Sequence, residues 1–317
     1  MAVRVGGPIR VRAHAKINLN LQVLGRREDG FHDLRTVFQA LALHDTLVFA
    51  PRPGLFAIEC SDARVPTDSS NLAWRAADLL WRHLGRSGAA CDVLVRIEKC
   101  IPMKAGLGGG SSDAAAALLG LAALWGAQVA AADLAAMGRQ LGADVGFFFT
   151  GGAARGAGRG DDISPLADLP PLGVLLVFPS FEVSTADAYR WLDEDREGQA
   201  GRVGRAGQGG GAPFDSPHPP LQGRSARAVG GLEIANDFEP VVSARHPQIT
   251  GVVTDLMAAG AAAAAMTGSG STVFGLFHRD EAMAAAARSL NRLGYALALT
   301  RTLTRDEYAR VSAPACL

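Results

Sequence analysis

"IPMKAGLGGGSSDAAAALLGLAALWG" runs from Ile101 to Gly126. Gly106, Gly108, Gly109 and Gly110 crowd together and oppose regular structure, yet an Ala- and Leu-rich run with strong helix propensity follows at once. A helix N-terminus leaves backbone N–H groups without intrahelical partners, and its dipole favours an anion there. Glycines just ahead of it let the backbone close on that anion with no Cβ in the way. The stretch therefore reads as a phosphate cradle, with Ser111 and Ser112 placed to cap the helix or to offer hydroxyls to phosphate or a metal ion. It matches neither GxxxxGK[ST], since no Lys follows Gly110, nor GxGxxG, since Ser111 stands at its third glycine. The plain alternative is a loop with a Ser cap. Four glycines, two serines and an upstream strand favour the cradle.

That strand is read from Val93, Val95 and Ile97, which alternate with polar residues. A longer alternation covers Ile9 to Val23. Odd positions are apolar throughout, while Arg10, Arg12, His14, Lys16, Asn18, Asn20 and Gln22 form the other face, so a half-buried strand or two successive strands are expected. A solvated face is the default for such a pattern, but two Asn and only one Lys in its central stretch suit it poorly. Short strands are expected at Thr46–Ala50, Phe56–Cys60 and Val174–Phe178, with an amphipathic helix over 72–84 capped by Asn71 and stopped by Gly85. "GLEIANDFEPVV" opens a helical stretch to about Ala259, and "MTGSGSTVFGLF" reads as a glycine turn into a strand. A helix over 280–293 and a last strand around Ala296–Leu303 complete an α+β pattern with no strict βαβ rhythm.

The chain has 317 residues, 48% hydrophobic and 20% charged, with 31 basic residues against 31 acidic ones. The length suggests two domains, expected at 1–165 and 170–317. The charge balance gives no field that would draw the chain to nucleic acid or membrane. Residues 114–132 are uncharged but Ala-rich and read as a buried core helix rather than a membrane span. Cys60, Cys91, Cys100 and Cys316 show no ligand spacing, which points to free thiols in a reducing, cytoplasmic setting. Residues 196–230 are dense in Gly and Pro and are expected to be a disordered insertion in the second domain.

"PMKAGLGGGSSDAA" (102–115) resembles the nucleotide loop of the GHMP small-molecule kinases. "AKINLNLQVLGRREDGFHDLRTVF" (15–38), "GADVGFFFTGGAARGAGRGD" (142–161) and "MTGSGSTVFGLF" (266–277) resemble the branch of that family whose acceptor is a cytidine diphosphate-linked methylerythritol. The four motifs occur in order. The resemblance implies a ribosomal S5 domain 2-like N-terminal domain, a ferredoxin-like C-terminal domain and a site between them. It also implies a monomer or weak homodimer, with ATP, brought as its Mg2+ complex, and the small-molecule acceptor as partners.

On that resemblance ATP binds at Pro102, Met103, Lys104, Ala105, Gly106, Leu107, Gly108, Gly109, Gly110, Ser111 and Ser112. Lys99 either approaches the nucleotide or is a plain surface lysine, and Lys104 either adds a phosphate contact or points to solvent. Asp144 is the implied base for the acceptor hydroxyl, and Lys16 the lysine that offsets charge building there. Without the other motifs Asp144 would simply N-cap a short helix. Asn18, Phe31, His32, Thr185 and Tyr189 are the implied acceptor contacts, with His32 reading the cytosine edge and rings 31 and 189 on its faces. Phe31 fits core packing equally well. Gly268, Ser269 and Gly270 either face the diphosphate or form a tight turn between helix and strand. Asp113 is read as a residue stabilising the helix dipole. Gly146 and Phe31 depart from the family pattern, which has Pro and Tyr there. Other GHMP kinases, with mevalonate-, homoserine- or sugar-type acceptors, and a non-catalytic nucleotide-binding homologue are the competing readings.

Overall fold

The computed structural model describes residues 7–203 and 227–317, and the side chains of 7–198 and 228–317. Among the described residues nine strands join in one mixed sheet. They are β1 (Ile9–Arg26), β2 (His32–Leu55), β3 (Ala57–Cys60), β4 (Cys91–Glu98), β5 (Ala153–Ala157), β6 (Asp162–Pro165), β8 (Arg227–Val229), β9 (Leu232–Asn236) and β13 (Ala315–Cys316). A second, antiparallel sheet has the order β10 (Ala263–Met266), β11 (Val273–Phe277), β7 (Gly173–Phe178), β12 (Ala296–Arg301). The chain passes from the first sheet to the second between Pro165 and Gly173, and β8, β9 and β13 later return to the first.

The long alternation is a single strand, β1, but its apolar residues do not share one face. Ile9, Val11 and Ala13 enter the core beneath α1 (Leu72–His83) and α2 (Gly109–Leu124). Ala15, Ile17 and Leu19 enter a different core, against Val174, Leu176, Ala265 and Phe274 of the second sheet. The pairing with β2 slips between His14 and Lys16 and again between Asn18 and Asn20. A bulge adds a residue to one strand and re-aims the side chains that follow. Here it turns Lys16 to the side of Phe38 and Phe148, which belong to the helix-side core. The polar face is consequently not solvated: His14, Lys16, Asn18, Asn20 and Gln22 are all buried.

The helices match the sequence reading where local signals are strong. Asn71 caps α1 by accepting from Ala73 N–H at 2.8 Å, and Gly85 follows the last turn at φ +69°. α2 is a core helix with nearly every face covered, and among the described residues no helix is long and apolar enough to cross a membrane. α3 (Ala131–Leu141) and the single turn α4 (Phe147–Thr150) complete this side. α5 (Thr185–Val203), α6 (Phe238–Arg245), α7 (Gln248–Ala258) and α8 (Asp280–Arg292) contribute apolar residues to the core of the second sheet, and α9 (Arg305–Ser312) follows β12.

Three expectations change. The "LEIAN" segment is strand β9, parallel to β1 through Asn20–Ala235 and Leu21–Asn236, rather than the start of a helix. The expected insertion 196–230 has regular ends, because α5 runs to Val203 and β8 begins at Arg227. Arg196 is tied down by Val23 O at 2.6 Å and Asp237 at 3.3 Å. The remainder of that expectation, 204–226, lies outside the described residues. After β12 the chain forms α9 and β13, which the sequence reading left out; α9 starts with a capping box between Thr304 and Glu307.

Candidate active site

The glycine loop runs between β4 and α2 and lines a cavity of about 340 Å³ with all of residues 102–111, together with Val65, Leu72 and Lys99. Gly108 is the N-cap of α2, at φ +71°, and no side chain caps the helix. The first backbone N–H groups of α2 are thus left for a ligand, as the cradle reading requires. The serines do not cap it. Ser111 and Ser112 lie inside the first turns, and the Ser112 hydroxyl is buried with no hydrogen-bond partner. Lys104, at φ +51°, points outward and pairs with Glu182 at 3.2 Å. Lys99 is not a surface lysine: its side chain is buried between Asp45 and Asp113. That pairing also corrects Asp113, which binds a buried ammonium instead of decorating the first turn.

The loop is seated by close backbone approaches. A Cβ on Gly106 would strike the carbonyl oxygen of Thr267, and one on Gly268 would lie 3.0 Å from Gly106 Cα. The second glycine segment is the β10–β11 turn, between two strands rather than a helix and a strand, and it backs onto the first. Asn236 fixes that turn by donating to Met266 O and Gly268 O at 2.8 and 2.9 Å. On its other side the glycine loop rests on Lys16. The Lys16 N–H donates to Leu107 O at 3.0 Å, and a Cβ on Gly108 would lie 3.0 Å from Lys16 Cγ.

Lys16 links the loop to Asp144. Its ammonium donates to Asn18 Oδ1 at 2.7 Å and stands 3.4 Å from Asp144 Oδ2. The lysine is buried, at 4% exposure, whereas Asp144 is open to a ligand at 34%. Asp144 is not a helix cap, since α4 has Gly146 at its N-cap and no side-chain capping bond. Gly146 sits at an ordinary helical φ of −58°, so the glycine introduces no unusual backbone beside Asp144. Asn18 has both ends of its amide engaged: Oδ1 also accepts from Gly268 N at 3.1 Å, and Nδ2 donates to Thr36 Oγ1 at 2.7 Å. Asn18 holds Lys16 and the second turn in place.

The implied acceptor residues outside β1 form separate contacts. His32 stacks on Tyr189, centroids 4.6 Å apart and rings inclined by 20°, and its Nε2 lies 2.9 Å from Asp193 Oδ1. Burial first, then the charges of Asp144 and Asp193, push the Tyr189 phenol up to about 12. His32 therefore covers a Tyr189 face that the sequence reading gave to the base. Phe31 is 55% exposed and is no core residue; its ring lies under the Arg159 guanidinium, at 5.2 Å. Thr185, the first residue of α5, meets Ser269 hydroxyl to hydroxyl at 3.1 Å, and Gly270 closes the same turn on Thr267 O.

Sequence reasoning missed Asp45, Asp193 and Arg159. Asp193 follows Tyr189 at i+4 on α5, a spacing that places both on one helix face and offered a signal. Asp45, in "LHDTL", offers none, because its partners lie more than fifty positions along the chain.

Comparison with known proteins bears on this geometry. The family model "GHMP kinases N terminal domain" matches residues 71–152, and "GHMP kinases C terminal" matches 224–296. The chain is similar to the 4-diphosphocytidyl-2-C-methyl-D-erythritol kinase of Solibacter usitatus, 43% identical over 86% of this chain and 82% of that one. The kinase of the same name from Pelotomaculum thermopropionicum is 40% identical over 93% and 98%. A crystal structure of 4-(cytidine 5'-diphospho)-2C-methyl-D-erythritol kinase superimposes with a TM-score of 0.70 at 35% identity, covering 92% and 98%. The homoserine kinase of Cytophaga hutchinsonii, at 18% identity and a TM-score of 0.63 over 100% and 99%, shares the fold.

Proposed function

The chain belongs to the GHMP kinases, in the group of the 4-diphosphocytidyl-2-C-methyl-D-erythritol kinases, and on that premise we propose how its own residues phosphorylate such an acceptor. The reaction transfers the γ-phosphoryl group of ATP to the 2-hydroxyl of 4-diphosphocytidyl-2-C-methyl-D-erythritol, a step of the non-mevalonate isoprenoid pathway. The bond from Pγ to ADP breaks, a bond from Pγ to the acceptor oxygen forms, and the hydroxyl proton goes to Asp144.

One observation carries this reading: Lys16 lies against Gly108 at the head of α2 and reaches Asp144 at 3.4 Å. Residues 102–112 hold the triphosphate with backbone N–H groups at the helix N-terminus. Asp144, partly open, receives the proton of a hydroxyl brought to its free side. Lys16, fixed by Asn18, supplies positive charge where negative charge builds during transfer, from a buried position that needs no rearrangement. His32 and Tyr189 hold the cytosine, Phe31 offers a further ring face beside Arg159, and Thr185 with Gly268–Gly270 borders the diphosphate.

Magnesium fits as a companion of the nucleotide. Among the described residues no three His, Cys, Asp or Glu side chains converge into a metal cage, so phosphate oxygens and water would supply most of its ligands. Bound there, it would shield the phosphate charge. The four cysteines are free thiols, which supports a reducing, cytoplasmic setting.

The direct test supplies ATP with a panel of acceptors and follows ADP and the phosphorylated product. The cytidine diphosphate-linked substrate should turn over, free methylerythritol phosphate should be very poor, and mevalonate and homoserine should not react. Efficient phosphorylation of an acceptor lacking cytosine would overturn the substrate assignment and leave the kinase.

A further inference from the structure

Beneath the glycine loop lies a cluster that the transfer scheme leaves unused. Lys99 follows the last residue of β4 and turns inward, its side chain 6% exposed. Its ammonium is held by Asp113 at 2.8 Å and, more closely, by Asp45. Asp45 stands in β2 opposite Ala13 of β1, has no solvent exposure and does not line the cavity. A second oxygen of the same carboxylate accepts the N–H groups of Cys100 at 2.6 Å and Ile101 at 2.8 Å. One side chain therefore receives the chain where it leaves β4, aims the start of the loop and seats Lys99.

The seat matters because of what lies above it. A Cβ on Gly109 would be 3.1 Å from Lys99 Nζ, so the ammonium is directly under the first residue of α2. A buried ammonium beside a helix N-terminus is opposed by desolvation and by the dipole, and it stays only if carboxylates hold it. The two carboxylates are not equivalent. Asp113 has one oxygen without a partner, and burial, outweighing the pull of Lys99, pushes its carboxyl up to about 7. Asp45 has both oxygens engaged and alone joins the ammonium to the loop backbone.

We propose that Asp45 is a positioning residue for the nucleotide: through Lys99 and the amides of residues 100 and 101 it sets the height and direction of the loop that receives the triphosphate. The inference rests on the reading of that loop as the ATP site, and the test separates the two. ATP affinity is measured by calorimetry, and KM for ATP and for the acceptor by initial rates. Asp45→Asn keeps an oxygen for the two N–H groups but sets an amide NH2 against the ammonium. Asp113→Asn removes the other carboxyl partner of Lys99 without touching residues 100 and 101.

Asp45→Asn should weaken ATP binding about tenfold, the scale of one charge-assisted hydrogen bond, with acceptor KM and cooperative unfolding kept. Asp113→Asn should cost less than about threefold, and Asp45→Asn should add little in a Lys99→Met background, since coupled residues are not additive. Equal losses at 45 and 113 would mean that only charge counts and would overturn the proposal. So would a loss at 45 that persists undiminished without the lysine. If Asp45→Asn does not fold, Lys99→Met and Asp113→Asn still decide. A clear loss of ATP affinity for the first and little for the second supports the proposal; no loss for Lys99→Met overturns it. Failure of the wild-type chain to bind ATP would remove the loop reading itself and this inference with it.

Discussion

Residues 102–112 form one continuous stretch, a loop and the start of α2, that meets its surroundings largely with backbone, while Lys16, His32, Asp144 and Tyr189 come from four separate parts of the chain and meet theirs with side chains. The first region is fixed by close approach: Gly106 against Thr267 and Gly268, Gly108 against Lys16, Gly109 over Lys99. The second is fixed by polar pairs that span the chain, Lys16 to Asp144 and His32 to Asp193. A backbone cradle recognises what all its ligands share, the phosphates. A side-chain assembly recognises what distinguishes one acceptor from another. The difference accounts for a fold common to kinases of unlike substrates, and it gives each half its own vulnerability.

The largest effect should come from the carboxylate between the halves. Asp144→Asn removes the proposed proton acceptor and leaves the glycine loop intact, so kcat should fall roughly 10²–10⁴-fold while ATP affinity stays near wild type. Lys16→Met should behave similarly in kcat. Single-turnover rates with calorimetric ATP binding check both, and wild-type-like rates for Asp144→Asn would leave Asp144 no catalytic part.

Next come the glycines, where two neighbours should fail differently. A side chain at 109 meets Ile101 and Lys99 below the loop, so Gly109→Val should weaken ATP binding roughly tenfold or more and spare acceptor binding. A Cβ at 108 meets Lys16 and Phe148 at 3.0 Å from a left-handed φ, so Gly108→Ala should lower kcat as well. If both variants lost ATP and acceptor binding alike, the division into two regions would fail.

On the acceptor side, Tyr189→Ala removes the ring on which His32 stacks. Without that support His32 is free to turn from the base, at a cost on the scale of one hydrogen bond, so KM for the cytidine substrate should rise roughly tenfold with KM for ATP unchanged. Tyr189→Phe, which keeps the ring, should restore most of it.

The same contrast governs what could be read in advance. The strand, glycine loop and helix were legible because their signal is local: glycines, a helix former and a strand lie within one stretch, and φ and Cβ constraints act on neighbours. Asn71 and Gly85 were legible at the ends of α1 for the same reason. The buried triad of Asp45, Lys99 and Asp113 was not, because a lone Asp in an apolar strand looks the same whether or not an ammonium waits 54 positions ahead. β9 was missed because five residues that pair in parallel with the end of β1 leave no periodicity long enough to outweigh a following helix. The strict alternation of β1 was read as one strand or two successive strands with a single apolar face; it is one strand with more than one face, since a bulge changes which side a residue occupies without changing the order of apolar and polar letters.

His14 sharpens that last point, for it shares the polar pattern with Lys16 and Asn18 yet stands apart from the site. Its Nδ1 lies 2.9 Å from Leu41 O, its ring is near His44 and Tyr308, and Nε2 has no partner. Burial first, then the like charge of His44 and of Arg12, lowers its pKa from 6.5 to about 4, against the Leu41 carbonyl, which favours the charged ring. The unfolded chain takes up this proton around pH 6.5, whereas the folded chain resists it until about 4. Between those values the unfolded state binds more protons, so the stability His14 allows near neutral pH is lost as pH falls. The whole difference is about 3 kcal/mol. His14→Gln, which retains an amide for Leu41, should flatten the fall in urea-unfolding stability from pH 6.5 to 4 and leave kcat at neutral pH within about twofold of wild type, as expected for a residue outside the reacting groups. A large loss of turnover would put His14 back with Lys16 as part of the site; an unchanged acid limb would assign the acid sensitivity to other groups.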